Sequence, residues 1–188
     1  EPMKLKLLTA AAAALMAANA GWRLGWSRAA LATLAAELGS DVPFFVVGGA
    51  AICRGRGEQV EPLGGLGTLH FVVVRPPVGL STADVYRRCR IDAAPQSAQP
   101  LFGSLTRGDL AEAGRRLFNR LQPAAESLSP WIGRVRAALA QEDVLGHRMS
   151  GSGSCYFGLC RHAVHARRIA NRLQAKRIGM AFAVRVSR

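Results

Sequence analysis

His70-Phe71-Val72-Val73-Val74-Arg75-Pro76-Pro77 is the stretch on which the fold turns. Three successive β-branched valines after a phenylalanine suit a pleated, largely buried surface. The two prolines that follow cannot donate to a ladder and end it. A strand is therefore expected over 70–75. Beyond it, Ser81 or Thr82 is placed to cap a short helix running to about 90, and 91–100 reads as a Pro/Gln/Ser linker. Helices are expected at about 109–121 and 130–141, and a strand–loop–strand passage around 150–154. A helix at 165–176 and a last strand at 180–186 complete the pattern. The order βααα-ββ-αβ predicts an α+β arrangement, with helices on one face of an antiparallel sheet.

Upstream, 5–20 reads as an alanine-rich helix. A connector carrying Trp22 and Trp26 leads to Ser27, which caps a second helix over 28–38 with Gly39 after it. Asp41 and Pro43 mark a third start. Residues 50–54 and 59–63 face each other across Gly55-Arg56-Gly57 as a hairpin, and Gly64, Gly65 and Gly67 form a loose boundary. Trp22, Trp26 and Trp131 are expected as core or interface anchors. From Met3 the chain reads MKLKLLTAAAAALMAANA. Lys4 and Lys6, an apolar stretch and Ala18-Asn19-Ala20 have the grammar of a secretory signal peptide as well as that of a buried helix.

Composition narrows the classes. The chain has 188 residues, room for one ordinary domain or two small ones. With 49% apolar and 20% charged residues a packed core is expected and global disorder is not. No apolar run approaches the ~18 residues of a membrane-spanning helix. Lys plus Arg is 25 against 12 acids, a net charge of +13. No acid occurs from Val144 to Arg188, while Arg148, Arg161, Arg167, Arg168, Arg172, Lys176, Arg177, Arg185 and Arg188 are cationic. Such a tract suits phosphates, on nucleotide, nucleic acid or membrane, and equally suits ordinary surface arginine at helical spacing. Cys53, Cys89, Cys155 and Cys160 are scattered without a CxxC, as buried thiols of a reducing compartment would be. Their spacing to His162 and His165 matches no zinc pattern, and His147, His162 and His165 read as surface or cap residues.

Two constellations can carry chemistry. Met149-Ser150-Gly151-Ser152-Gly153-Ser154-Cys155 has small residues that leave backbone N–H groups uncovered, and glycines that accept positive φ. Flanked by strands and beside Arg148, it reads either as an anion nest or as a plain turn. Gly39-Ser40-Asp41-Val42-Pro43-Phe44-Phe45 holds a carboxylate at a rigid helix start. Asp41 there is either a simple N-cap or a group able to orient, or take the proton of, a substrate hydroxyl.

Taken in order, Leu38-Gly39-Ser40-Asp41-Val42-Pro43-Phe44-Phe45, Gly48-Gly49-Ala50-Ala51, Arg54-Gly55-Arg56-Gly57-Glu58, the run from Pro77 to Tyr86 and the run from Met149 to Ser154 resemble the 4-diphosphocytidyl-2-C-methyl-D-erythritol kinase family of the GHMP kinase superfamily. The resemblance extends from about residue 10 onward. It implies two α+β domains. The first, over 1–66, is a partial ribosomal-S5-like N-terminal domain, and the second, over 67–188, is ferredoxin-like. It implies ATP-dependent phosphorylation of the 2-hydroxyl of the diphosphocytidyl methylerythritol in non-mevalonate isoprenoid biosynthesis, in the cytoplasm. ATP with Mg2+ would be the cofactor, with no metal held by the chain and no nucleic-acid or membrane partner. The roles it implies are catalysis for Asp41, contact with the nucleotide phosphates for Gly151, Ser152 and Gly153, and substrate contact for Thr82.

The family also carries a strand with a catalytic lysine and a Pro-x-Gly-x-Gly-Leu-Gly-Gly-Gly-Ser-Ser-Asp loop that cradles ATP at a helix N-terminus. Where that loop should end, this sequence has Lys4-Leu5-Lys6-Leu7-Leu8-Thr9, so 10–22 corresponds to the helix after the loop. The expectation is the C-terminal two thirds of such a kinase, with little or no turnover alone, since each missing phosphate donor costs on the order of 100-fold in rate. Uncovered helix faces and a sheet edge would favour self-association. The alternative reading is a non-enzymatic basic module for RNA or another polyanion, and a third, a small secreted protein, rests on residues 3–20 alone.

Overall fold

The computed structural model describes residues 2–91, 94 and 96–186, with the backbone alone for 2–7. Asp92, Ala93 and Pro95 of the expected linker, the side chains of Lys4 and Lys6, and Arg188 of the basic tract lie outside the described residues. The chain divides into two compact units, Glu1–Gly65 and Leu66–Arg188.

In the first unit, helix α1 (Pro2–Gly21) packs with α2 (Arg28–Leu38) and α3 (Val42–Val47), and strands β1 (Ala51–Arg54) and β2 (Gln59–Pro62) pair antiparallel. Ser27 caps α2 as its position predicts, its hydroxyl accepting from the Ala30 N–H. The alanine-rich α1 is a packed helix: Ala12 is buried with Leu31, Ala35, Val42 and Val46, and Leu8, Ala11 and Leu15 rest against that cluster. Alanine suits this position because it lets helices approach closely at no cost in side-chain entropy. Trp22 and Trp26 do not join the core. They are 75% and 47% exposed, in the connector after α1.

The second unit is built on a sheet of order β4-β5-β3-β6, antiparallel throughout, from β3 (Leu69–Arg75), β4 (Gly146–Met149), β5 (Tyr156–Cys160) and β6 (Met180–Val186). Chain order against sheet order is that of the ferredoxin-like split β-α-β. Five helices fill the first crossover: α4 (Thr82–Arg88), α5 (Gln99–Thr106), α6 (Leu110–Arg115), α7 (Gln122–Leu128) and α8 (Pro130–Ala140). Helix α9 (Ala163–Ala175) fills the second. The sequence reading has three helices in that first crossover. Both unforeseen ones, α5 and α7, start at a Gln-Pro step with the proline in the first turn, where its missing N–H is harmless. The helix expected over 109–121 ends at Arg115.

Strand alternation sorts the sheet into two faces. Val72, Val74, Tyr156, Cys160 and Met149 turn to the helices and meet Val85, Ile132, Val135, Leu139, Ile169 and Leu173 in one core. On the opposite face Phe71 and Phe157 meet edge to face at 5.8 Å, and Phe182 and Val184 of edge strand β6 stand exposed. Helix α6 meets β4 backbone to backbone. A Cβ at Gly114 would collide with the Leu145 carbonyl, and one at Gly146 with the Gly114 carbonyl.

Candidate functional site

The glycine–serine passage is the β4–β5 turn of the second unit, and its shape is fixed from three directions. Gly151 and Gly153 take positive φ, 55° and 89°, as the small-residue pattern requires. Within the turn, Ser150 N–H donates to the Cys155 carbonyl at 2.9 Å and Gly153 N–H to the Ser150 carbonyl at 3.0 Å. From below, Asn119 Nδ2 donates to the carbonyls of Met149 (2.7 Å) and Gly151 (2.8 Å), while its Oδ1 accepts the Leu121 N–H at 2.9 Å. Gln122 Oε1 accepts the Met149 N–H at 3.3 Å. From the side, the Ser154 hydroxyl donates to the Val78 carbonyl, and Thr82 Oγ1 and Ser152 Oγ share a hydrogen bond of 3.0 Å. The backbone N–H groups of Gly151, Ser152 and Ser154 take no partner among the described residues. Uncommitted N–H groups on a turn with positive-φ glycines are the geometry of an anion nest.

Thr82, Gly151, Ser152 and Gly153, nominated from separate motifs, thus lie together. Ser81, not Thr82, caps α4, its hydroxyl accepting the Asp84 N–H, so the Thr82 hydroxyl is turned to Ser152. A cavity of about 660 Å³ opens beside this turn, lined by Tyr86, Ile91, Phe118 and Arg120 together with Ser150 and Gly151. Tyr86 and Phe118 are exposed aromatics on its wall. They offer flat apolar surface beside the turn, of the kind on which a planar ring can stack. Sequence reasoning missed Asn119, Tyr86 and Phe118. Asn119 was hidden inside an expected helix, and the Pro123 after it was the available signal that the helix had already ended.

Asp41 lies in the first unit, at the N-cap position of α3 with φ −91° and ψ −12°, and its side chain makes no capping hydrogen bond. The plain N-cap reading therefore fails. The carboxylate is exposed, with no ion-paired cation among the described residues. Its Oδ1 lies 3.1 Å from where a Cβ at residue 57 would stand, and Gly57, at φ +118°, leaves that space open. Cys53 of the β1–β2 hairpin feels the same carboxylate: partial burial, then the Asp41 charge, push its thiol pKa up.

None of the four cysteines is in a disulfide, and the expectation of buried thiols holds for Cys160 alone. Cys53 is exposed, and Cys89 and Cys155 are intermediate. Burial holds the Cys160 thiol up at about 11. Among the described residues no group of three or more His, Cys, Asp or Glu is placed to hold a metal ion, and no helix is long and apolar enough to cross a membrane. His162 is a cap, its Nδ1 accepting the His165 N–H. His165 is not a surface residue: it is 3% exposed. Its Nδ1 accepts the Arg161 N–H, which leaves Nε2 to face Asp143 Oδ1 at 3.0 Å.

A family model described as "GHMP kinases C terminal" matches residues 101–178. The chain is 42% identical to 4-diphosphocytidyl-2-C-methyl-D-erythritol kinase of Pelotomaculum thermopropionicum, over 86% of the chain and 57% of the relative. It is 44% identical to the enzyme of that name from Thermobifida fusca, over 88% of the chain and 55% of the relative. A crystal structure of 4-(cytidine 5'-diphospho)-2C-methyl-D-erythritol kinase superposes with a TM-score of 0.79 at 34% identity, over 94% of this chain and 63% of that one. The chain spans little more than half the length of the curated relatives it matches.

Proposed function

Because the chain belongs to the GHMP kinase superfamily, we propose that it carries part of the site of an ATP-dependent kinase acting on the 2-hydroxyl of 4-diphosphocytidyl-2-C-methyl-D-erythritol, a cytoplasmic step of isoprenoid biosynthesis. One observation supports this above the rest. The Thr82–Ser152 hydroxyl pair joins the stretch expected towards substrate to the turn expected at phosphate, and the cavity with its two exposed aromatics opens on that turn.

The roles follow from the chemistry. The N–H groups of Gly151, Ser152 and Ser154 receive phosphate oxygens, which a pre-formed nest does without reorganisation. Thr82 and Ser152 present hydroxyls that can donate or accept, so they suit a substrate alcohol or a bridging phosphate oxygen. Asp41, uncapped and unpaired, orients the reacting hydroxyl and takes its proton as the phosphoryl group arrives. Mg2+ would come with ATP and neutralise phosphate charge.

Two measurements test the reading. In calorimetric titration the diphosphocytidyl alcohol should bind, with amide shifts confined to 150–154 and the Tyr86 region, and Thr82→Val should weaken it by about tenfold. Absence of binding would overturn the assignment. Substrate-dependent ADP release from this chain should be slight; where it rises above the protein-free blank, Asp41→Asn should bring it down to that blank, and release left undiminished above the blank would remove Asp41 from catalysis.

A further inference from the structure

The acid-free tract is not absorbed by the kinase reading, and the structure divides its cations into two sets. Arg161 and Arg168 pair with Asp143 at 3.4 and 2.8 Å, and Arg172 and Lys176 pair with Glu142 at 3.4 and 2.9 Å. Two acids just before the tract thus hold four of its cations. Arg167 and Arg185 have no ion-pair partner among the described residues.

These two arginines line one cavity of about 210 Å³, together with His70, Ala163, Ala166 and Ala183. The placement follows from the fold. The β3–β6 register sets His70 directly opposite Arg185, and Arg167 comes from the N-terminal half of α9, which packs on both strands. Three alanines keep the space open. His70 Nδ1 is buried with no hydrogen-bond partner, and an unsatisfied buried polar atom calls for a missing partner. Two unpaired guanidinium groups on one small cavity repel each other, and a shared anion removes that repulsion.

We propose that this cavity between β3, β6 and α9 binds a phosphate dianion, as inorganic phosphate or as the head of a small phosphomonoester. Arg167 and Arg185 grip it, and a turn of the His70 ring brings the buried Nδ1 out to donate the third hydrogen bond. The planar guanidinium fork matches phosphate oxygens two at a time. The volume is below the ~300 Å³ at which pockets begin to enclose whole drug-sized ligands, so a head group is the fitting occupant. No residue lining it also lines the cavity beside the 150–154 turn, so the inference stands whether or not the kinase reading does.

The test is a titration of the full chain with sodium phosphate and, separately, glycerol phosphate, at ionic strength fixed with chloride. The readouts are the ring resonances of His70 and the phosphate-dependent rise in melting temperature. The expected result is saturable movement of the His70 ring, with affinity reduced about tenfold or more in the Arg167→Gln/Arg185→Gln double variant. Saturation by inorganic phosphate alone would name the free ion as the ligand, and tighter binding of the ester would name a metabolite head group. His70→Leu serves as a second variant. It should melt no lower than the parent without phosphate, yet lose the phosphate-dependent rise. A His70 ring that does not move, an affinity indifferent to both arginines, or movement with single-stranded RNA but not with phosphate would each overturn the proposal.

Discussion

Replacing Asn119 tests the construction of the 150–154 turn more sharply than any change within the turn. Asn119→Ala removes three hydrogen bonds, to the Met149 and Gly151 carbonyls and from the Leu121 N–H. Each contributes about 1 kcal/mol net, so the starting figure is about 3 kcal/mol. Exposure modifies it in opposite directions. Gly151 is exposed, so water replaces its lost donor, whereas Met149 is 1% exposed and its carbonyl is left wanting. A loss of about 2–4 kcal/mol follows, or about 10 °C in melting temperature for a unit of this size. Urea unfolding followed through Trp131 measures it in the second unit. Asn119→Asp sharpens the test. It keeps the acceptor for Leu121 but sets a carboxylate against two carbonyl oxygens, so it should be no better than alanine. A loss below about 0.5 kcal/mol with unmoved amides at 150–154, or an aspartate variant that matches the parent, would refute the clamp.

The backbone contact of α6 with β4 makes Gly114→Ala cost about 3 kcal/mol, since the colliding atom is a backbone carbonyl that cannot rotate away. Gly133→Ala in α8, which meets nothing within 4 Å, should be neutral or stabilising by up to about 1 kcal/mol in the same melts. Equal effects at the two sites would discredit the packing argument. Asp143 gives a pH dependence. The hydrogen bond from His165, reinforced by Arg168, holds its carboxyl down to about 2. That lies below the unfolded value of about 3.9, so the unfolded chain binds the extra proton between them. The contribution is complete above about pH 4 and is lost as pH falls towards 2. In acid titrations Asp143→Asn should flatten the stability profile over that window, and a parallel profile would remove the carboxylate from the account.

Elements whose local chemistry agrees with their burial were legible. The valine run of β3, the Ser27 cap and the strand over 180–186 appear at or within a residue of where pattern places them. The glycine–serine turn was legible in outline, because positive φ needs glycine and flanking apolar runs announce strands. What failed shares one cause. Helices α5 and α7 are short and are held by packing more than by their own periodicity, so the Gln99-Pro100 start was taken for linker and the Gln122-Pro123 start fell in the gap between the helices expected over 109–121 and 130–141. The buried His165 was misjudged because residue type alone carries no information about which partner arrives from elsewhere, and of the core and interface alternatives for Trp22 and Trp26 their exposure removes the core. The clamp by Asn119 spans about thirty residues, and no local window contains both its ends.

Glu142 and Asp143 sit side by side where α8 gives way to β4, and together they restrain four basic side chains of the following tract. Formal charge is therefore a poor guide to how this molecule meets a polyanionic matrix. Neutralising those two carboxylates would raise the nominal charge by only two, yet set four guanidinium and ammonium groups loose at once. Elution from a cation exchanger would shift far more than the arithmetic of the composition suggests.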